Sequence, residues 1–103
     1  MGKGKALLYP QTAKKLCTTG EQIRLARLRR HLTAQDVATR AGIGRSTVAE
    51  IEKGSPSVSM GMYLAVLNVL GLQDDILLLA KDDVLGRTYQ DLDLKIPRRV
   101  KKS

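Results

Sequence analysis

The sequence predicts an all-α domain of five helices, and three observations carry that prediction. Apolar residues return every three or four positions through most of residues 18–85, the spacing of a helix face that meets a core. Polar residues suited to open a helix, Thr33 with Asp36 and then Ser59, stand directly before such stretches. Glycines at 42 and 54 stand directly after them, where the left-handed conformation that ends a helix favours glycine. With 103 residues the chain closes one small core rather than two. Three regions are expected: an N-terminal arm over 1–17, a helical domain over 18–85, and a basic tail over 86–103.

Each element has its own justification. Thr18-Thr19-Gly20 reads as a cap and Glu21 as a first-turn acid, so a first helix is expected from about Gly20 to Arg30, with Ile23, Ala26 and Leu28 at helical spacing. Thr33 and Asp36 form a capping box with Asp in the place of the usual Glu or Gln, opening a second helix over Ala34 to Ala41. Gly42 ends it, and Ile43-Gly44 leads into a third helix, Arg45 to Lys53, stopped by Gly54. After the loop 55–59, a fourth helix over Met60 to Leu70 is apolar nearly all round. Met60, Tyr63, Leu64 and Leu67 make one stripe, and Met62, Val66 and Val69 another. One core does not cover both, so the second stripe is expected either to meet another subunit or to lie under a fifth helix folded back from Asp74 to Ala80. Beyond Gly86 the pattern turns polar and basic, apart from Asp91 to Pro97, whose alternation suits a short C-terminal strand.

Charge narrows the function. Lys and Arg number 18 against 10 Asp and Glu, a net +8 with pI near 10.0, and the distribution is uneven. Residues 1–53 carry 11 basic and 4 acidic side chains, residues 54–94 carry 2 and 6, and residues 95–103 carry 5 and none. Basic flanks around an acidic middle suit a polyanionic partner, or else a solvated surface. Catalysis is disfavoured. The chain holds one histidine, His31, one cysteine, Cys17, no Ser-His-Asp set and no glycine-rich phosphate loop. Asp74-Asp75 and Asp82-Asp83 read as solvated pairs or as a face for a basic partner. No cofactor and no metal are expected. The lone cysteine, the lack of an apolar segment after Met1-Gly2-Lys3-Gly4-Lys5, and apolar runs no longer than Met62 to Leu67 lead us to expect a reduced, cytoplasmic protein with no membrane partner.

Two short helices joined through a glycine turn and flanked by a basic helix have the geometry of a helix-turn-helix, whose second helix enters the major groove. The run from Leu32 to Gly54 resembles the Cro/CI-type (Xre) family of lambda-repressor-like DNA-binding domains. The resemblance lies in Ala38, the turn glycine Gly42, the packing pair Val48 and Ile51, and the ending Glu52-Lys53-Gly54. Further on, Ser57 to Leu67, Leu70-Gly71-Leu72, Leu85-Gly86-Arg87 and Pro97-Arg98-Arg99-Val100 resemble the HipB-type antitoxins encoded beside HipA-type kinase toxins. That resemblance implies a homodimer that binds double-stranded operator DNA, represses its own operon and holds a serine/threonine kinase toxin inactive. A free-standing repressor and a nucleic-acid-binding adaptor are the competing readings.

The resemblance and the physics together assign roles. Arg45 and Ser46 begin the third helix, where side chains reach base edges, and Glu50 is expected one turn along the same face. Arg45 suits guanine, or a phosphate; Glu50 suits a cytosine amino group, or serves to orient Arg45. Phosphates are expected at Thr33, Ala34 and Gln35, at Thr47 and at Lys53. The family commonly opens its second helix with a glutamine, whereas this chain has Ala34 and then Gln35, so that contact is lost or shifted. Gly44 stands where a capping Ser or Thr is common. The resemblance implies a structural ion pair between Arg27 and Glu52. Met62, Val66 and Val69 are the expected dimer interface. For the five cations of Lys95 to Lys102, contact with DNA backbone and docking of the toxin compete.

Overall fold

A computed structural model describes residues 6–92; of the strand expected within Asp91 to Pro97 all beyond Leu92 lies outside these residues, as does the basic end at 95–102. Five α-helices follow in order: α1 Pro10–Arg29, α2 Ala34–Ala41, α3 Arg45–Lys53, α4 Met60–Leu70 and, after a 3-10 helix at Gln73–Leu78, α5 Val84–Asp91. Among the described residues there is no strand.

The first helix begins ten residues earlier than its sequence suggested. Pro10 occupies its opening position, where a missing N–H costs nothing and the fixed φ suits a helix. Thr18 and Thr19, expected as caps, instead donate their hydroxyls to the carbonyls of Lys14 and Lys15 at 3.1 and 3.0 Å, one turn back. Gly20 is not a turn residue but a contact point: a Cβ there would stand 2.6 Å from the Ile51 carbonyl oxygen and 2.8 Å from that of Glu52. The missing side chain lets α1 lie directly on α3.

The next three helices keep their expected limits. Thr33 Oγ1 accepts from the Asp36 amide at 3.0 Å while Asp36 Oδ2 accepts from the Thr33 amide at 2.8 Å. The Thr33 amide first, and its hydroxyl second, hold the Asp36 carboxyl below the usual carboxylate range. Gly42, Gly54 and Gly71 end α2, α3 and α4 in the left-handed conformation. Gly54 is also packed: its Cβ would fall 2.5 Å from Cys17 Cα. Ser59 Oγ accepts from the Met62 amide at 3.2 Å and opens α4.

α3 packs against both α1 and α2, and α4 closes on α2. Ile23 and Ala26 of α1, Val37 and Ala38 of α2, Val48 and Ile51 of α3, and Val66 and Leu70 of α4 form the core. This corrects the dimer interface expected on α4. Val66 is 1% exposed inside its own protomer and offers no surface to a partner; Val69 is half-buried against the same core, and only Met62 is open. The segment expected as a fifth helix over Asp74 to Ala80 does fold back on α4, but as a 3-10 helix over Gln73–Leu78 that leaves Leu77, Leu78 and Leu79 exposed. α5 lies where the sequence suggested irregular tail. Asp83 caps it by accepting from the Gly86 amide at 3.0 Å, and none of its residues is buried.

Candidate nucleic-acid interface

The pair α2 and α3, joined through Gly42-Ile43-Gly44, presents one continuous polar end. Arg45, Ser46 and Glu50 are exposed on α3, and Thr47 is half-buried on its first turn. The opening amides of a helix have no partner within it. In α2 the Thr33 hydroxyl takes the Asp36 amide, which leaves those of Ala34 and Gln35 to an outside acceptor. Gly44 supplies no side-chain cap to α3, so the amides of Arg45 and Ser46 are open in the same way. Two helix N-termini with free donors, together with the guanidinium of Arg45, make a surface suited to anionic phosphate and to acceptors on base edges.

The other expected phosphate contacts divide. Ala34 is half-buried against the core and has only its amide to give. Gln35 is exposed, and its Nε2 donates to Thr39 Oγ1 at 3.0 Å, which fixes the amide plane along α2. Lys53 is exposed at the far end of α3. The expected pairing of Glu50 with Arg45 is corrected. Five residues set them about 140° apart around a helix, and the Glu50 carboxylate faces Lys53 Nζ at 3.9 Å instead. Ser46 and Glu50, four apart, share a face. Arg24 and Arg29 on α1 and Arg30 just after it are exposed; Arg24 is bonded to Glu21 at 3.2 Å and Arg30 to the Ala26 carbonyl at 2.8 Å.

What holds α3 in place is clear in the interior. Arg27 Nε and Nη2 donate to the two carboxylate oxygens of Glu52 at 2.6 and 2.9 Å, and Nη1 donates to the Leu32 carbonyl at 3.0 Å. One guanidinium thereby ties α1, the connection to α2, and α3. Its hydrogen bonds with Glu52 outweigh the cost of burial and raise the Arg27 pKa above its ordinary value, so it stays charged at every physiological pH. Side-chain exposures of 12% and 9% make this a shielded pair whose main effect is orientation.

A second tie escaped the sequence reading. Tyr63 Oη donates to the Ser55 carbonyl at 2.8 Å and pins the loop after α3 to α4. Burial pushes the hydroxyl pKa up, so the donor keeps its proton at neutral pH. The available signal was a tyrosine on an otherwise aliphatic stripe, since a buried phenol needs a partner.

Among the described residues no three His, Cys, Asp or Glu side chains cluster as metal ligands, and no helix is long and apolar enough to cross a membrane. The fold and the exposed start of α3 define a DNA-binding helix-turn-helix domain. The chain belongs to the helix-turn-helix domain family, which it matches over residues 19–80. It is also 34% identical over 58 residues to the uncharacterized HTH-type transcriptional regulator y4mF of Sinorhizobium fredii (strain NBRC 101917 / NGR234), a match covering 56% of this chain and 76% of that relative.

Proposed function

We propose that the chain is a sequence-specific transcriptional repressor that binds operator DNA as a homodimer, is not an enzyme, and serves as the antitoxin of a cytoplasmic toxin-antitoxin operon. The observation that carries DNA reading is the exposed first turn of α3, with Arg45 and Ser46 at its end and the Arg27–Glu52 pair behind it. Arg45 reads guanine through its fork of donors, and the amides opening α2 and α3 set the register on phosphates. The family and the printed name of the rhizobial relative support regulation of transcription.

The antitoxin role rests on the resemblance of residues 57–72, 85–87 and 97–100 to the HipB type. On this reading the chain represses its own promoter and holds a HipA-like serine/threonine kinase inactive. Co-purification from the native operon, followed by footprinting on its promoter, tests both parts. A palindromic footprint with half-sites about 10 base pairs apart, centre to centre, and a kinase bound to the repressor support the proposal. The same footprint without a kinase makes it a free-standing repressor. Binding insensitive to DNA sequence makes it an adaptor.

A further inference from the structure

We infer that Tyr63 is a positioning residue for base readout: its hydroxyl, held on the Ser55 carbonyl, sets the angle at which α3 offers Arg45 to DNA. The inference rests on the reading of DNA by α3 proposed above and names a residue on another helix that its specificity needs.

α3 is a short rod held unevenly. Val48 and Ile51 seat its middle in the core, and packing joins it to α1 and α2, whereas α4 packs on α2, α1 and the 3-10 helix. Its first turn has no side-chain cap. Its other end is braced twice. From α1, Arg27 holds Glu52 through two hydrogen bonds, and Leu16 and Cys17 lie against Gly54. From α4, Tyr63 Oη donates to the Ser55 carbonyl at 2.8 Å. Ser55 is continuous with the helix, because its amide donates to the Glu50 carbonyl at 3.0 Å, so whatever holds Ser55 holds α3. The Ser57 amide donates to Ser55 Oγ at 3.2 Å and stiffens the loop around that carbonyl.

The two braces come from different helices, and together they fix a tilt that either alone leaves free to swing. Arg45 stands eight residues before Lys53, about 12 Å along the axis, so slack at the braced end returns at the first turn as a change of tilt about the seated middle. Contacts differ in the tilt they tolerate. A bidentate contact between Arg45 and guanine has directional donors and needs placement within about 0.5 Å and about 10–20°. A phosphate contact from a flexible lysine such as Lys53 follows the charge and survives. Tyr63 therefore bears on the choice of sequence, not on affinity for DNA of any sequence.

Tyr63→Phe keeps the ring and removes the hydroxyl. Titrating the wild type, Tyr63→Phe, Arg45→Ala and the double variant onto the promoter operator and onto a random duplex, over a range of salt, tests the inference. The readout is the ratio of the two affinities, because a smaller folded fraction weakens both alike and leaves the ratio unchanged. Tyr63→Phe should lower that ratio about 3- to 10-fold, the scale of one neutral hydrogen bond. Its affinity for random duplex and its slope of log affinity against log salt should match the wild type. In the Arg45→Ala background the same change should leave the ratio where Arg45→Ala alone puts it. A wild-type ratio in Tyr63→Phe, an effect additive with that of Arg45→Ala, or equal weakening on both duplexes would overturn the inference and leave DNA reading by α3 standing. So would a Tyr63→Phe chain that does not fold, since the hydroxyl would then hold the fold and not the angle of α3. A wild type without preference for the operator would overturn the reading itself.

Discussion

The body formed by α1 to α4 and the segment from Gln73 to Leu92 are built from the same local devices and end in different states. In the body every helix places at least two residues in the core. In the segment neither the 3-10 helix nor α5 buries one. Local signals do not account for the contrast, since α5 is capped by Asp83 much as α4 is by Ser59. Caps and spacing specify a helix; burial specifies where it sits. An isolated helix of eight residues is marginal in water, which makes α5 an element that gains most from a partner.

That comparison can be broken first at its tightest point in the body. Gly54→Ala combines a backbone at φ +77° with a Cβ that would meet Cys17 Cα at 2.5 Å. Strain and overpacking together should remove about 3 kcal/mol or more, read as a lower urea midpoint. Gly71→Ala shares the φ of +77° but meets open space, and should lose only about 1–2 kcal/mol. Equal losses would show that the contact with α1 contributes nothing.

Glu52→Ala comes next. It leaves the Arg27 guanidinium shielded and without its two carboxylate bonds, at a cost of about 3 kcal/mol. A urea midpoint like that of the wild type would mean that the pair does not brace α3.

A smaller effect is expected from Asp36 and depends on pH. Its carboxyl is held below the usual range by Thr33, so its stabilisation is complete above the unfolded value near pH ~3.9 and fades as pH falls through the lower folded value. The stability difference between the wild type and Asp36→Asn should therefore shrink between about pH 5 and about pH 3. A difference constant over that window would contradict it. Smallest of all is the segment: at concentrations where the chain is monomeric, Leu85→Glu should shift stability by no more than about 0.5 kcal/mol, because Leu85 is 61% exposed.

The same contrast governs how much was legible in the sequence. The limits of α2 and α4 could be read because a cap, an apolar period and a terminal glycine agree there, as at Thr33, Val37 and Gly42, and those of α3 from its apolar period and Gly54 alone. α1 misled because Thr18-Thr19-Gly20 carries the signature of a helix start, yet the tertiary contact of Gly20 with α3 takes it into a helix interior; Pro10 was the true signal. α5 was not foreseen, because Gly86 reads as a break in the pattern unless the Asp83 cap before it is weighed. Composition did not reveal which stripe of α4 turns inward. Val66 faces inward because α4 packs on α2, a long-range contact that no local period encodes. In the interface the types of residue were legible, but not their pairing. Glu50 turns to Lys53 because five residues around a helix do not return to the same face.

The claim that the first turn of α3 reads DNA is tested most directly by titrating the wild type and Arg45→Ala onto the promoter operator and onto a random duplex at one salt concentration. The wild type should prefer the operator by at least about 10³-fold, and Arg45→Ala should lose about 1–3 kcal/mol on the operator alone, with preference relaxed at one base position per half-site. Equal weakening on both duplexes would make Arg45 a phosphate contact and contradict its role in reading sequence.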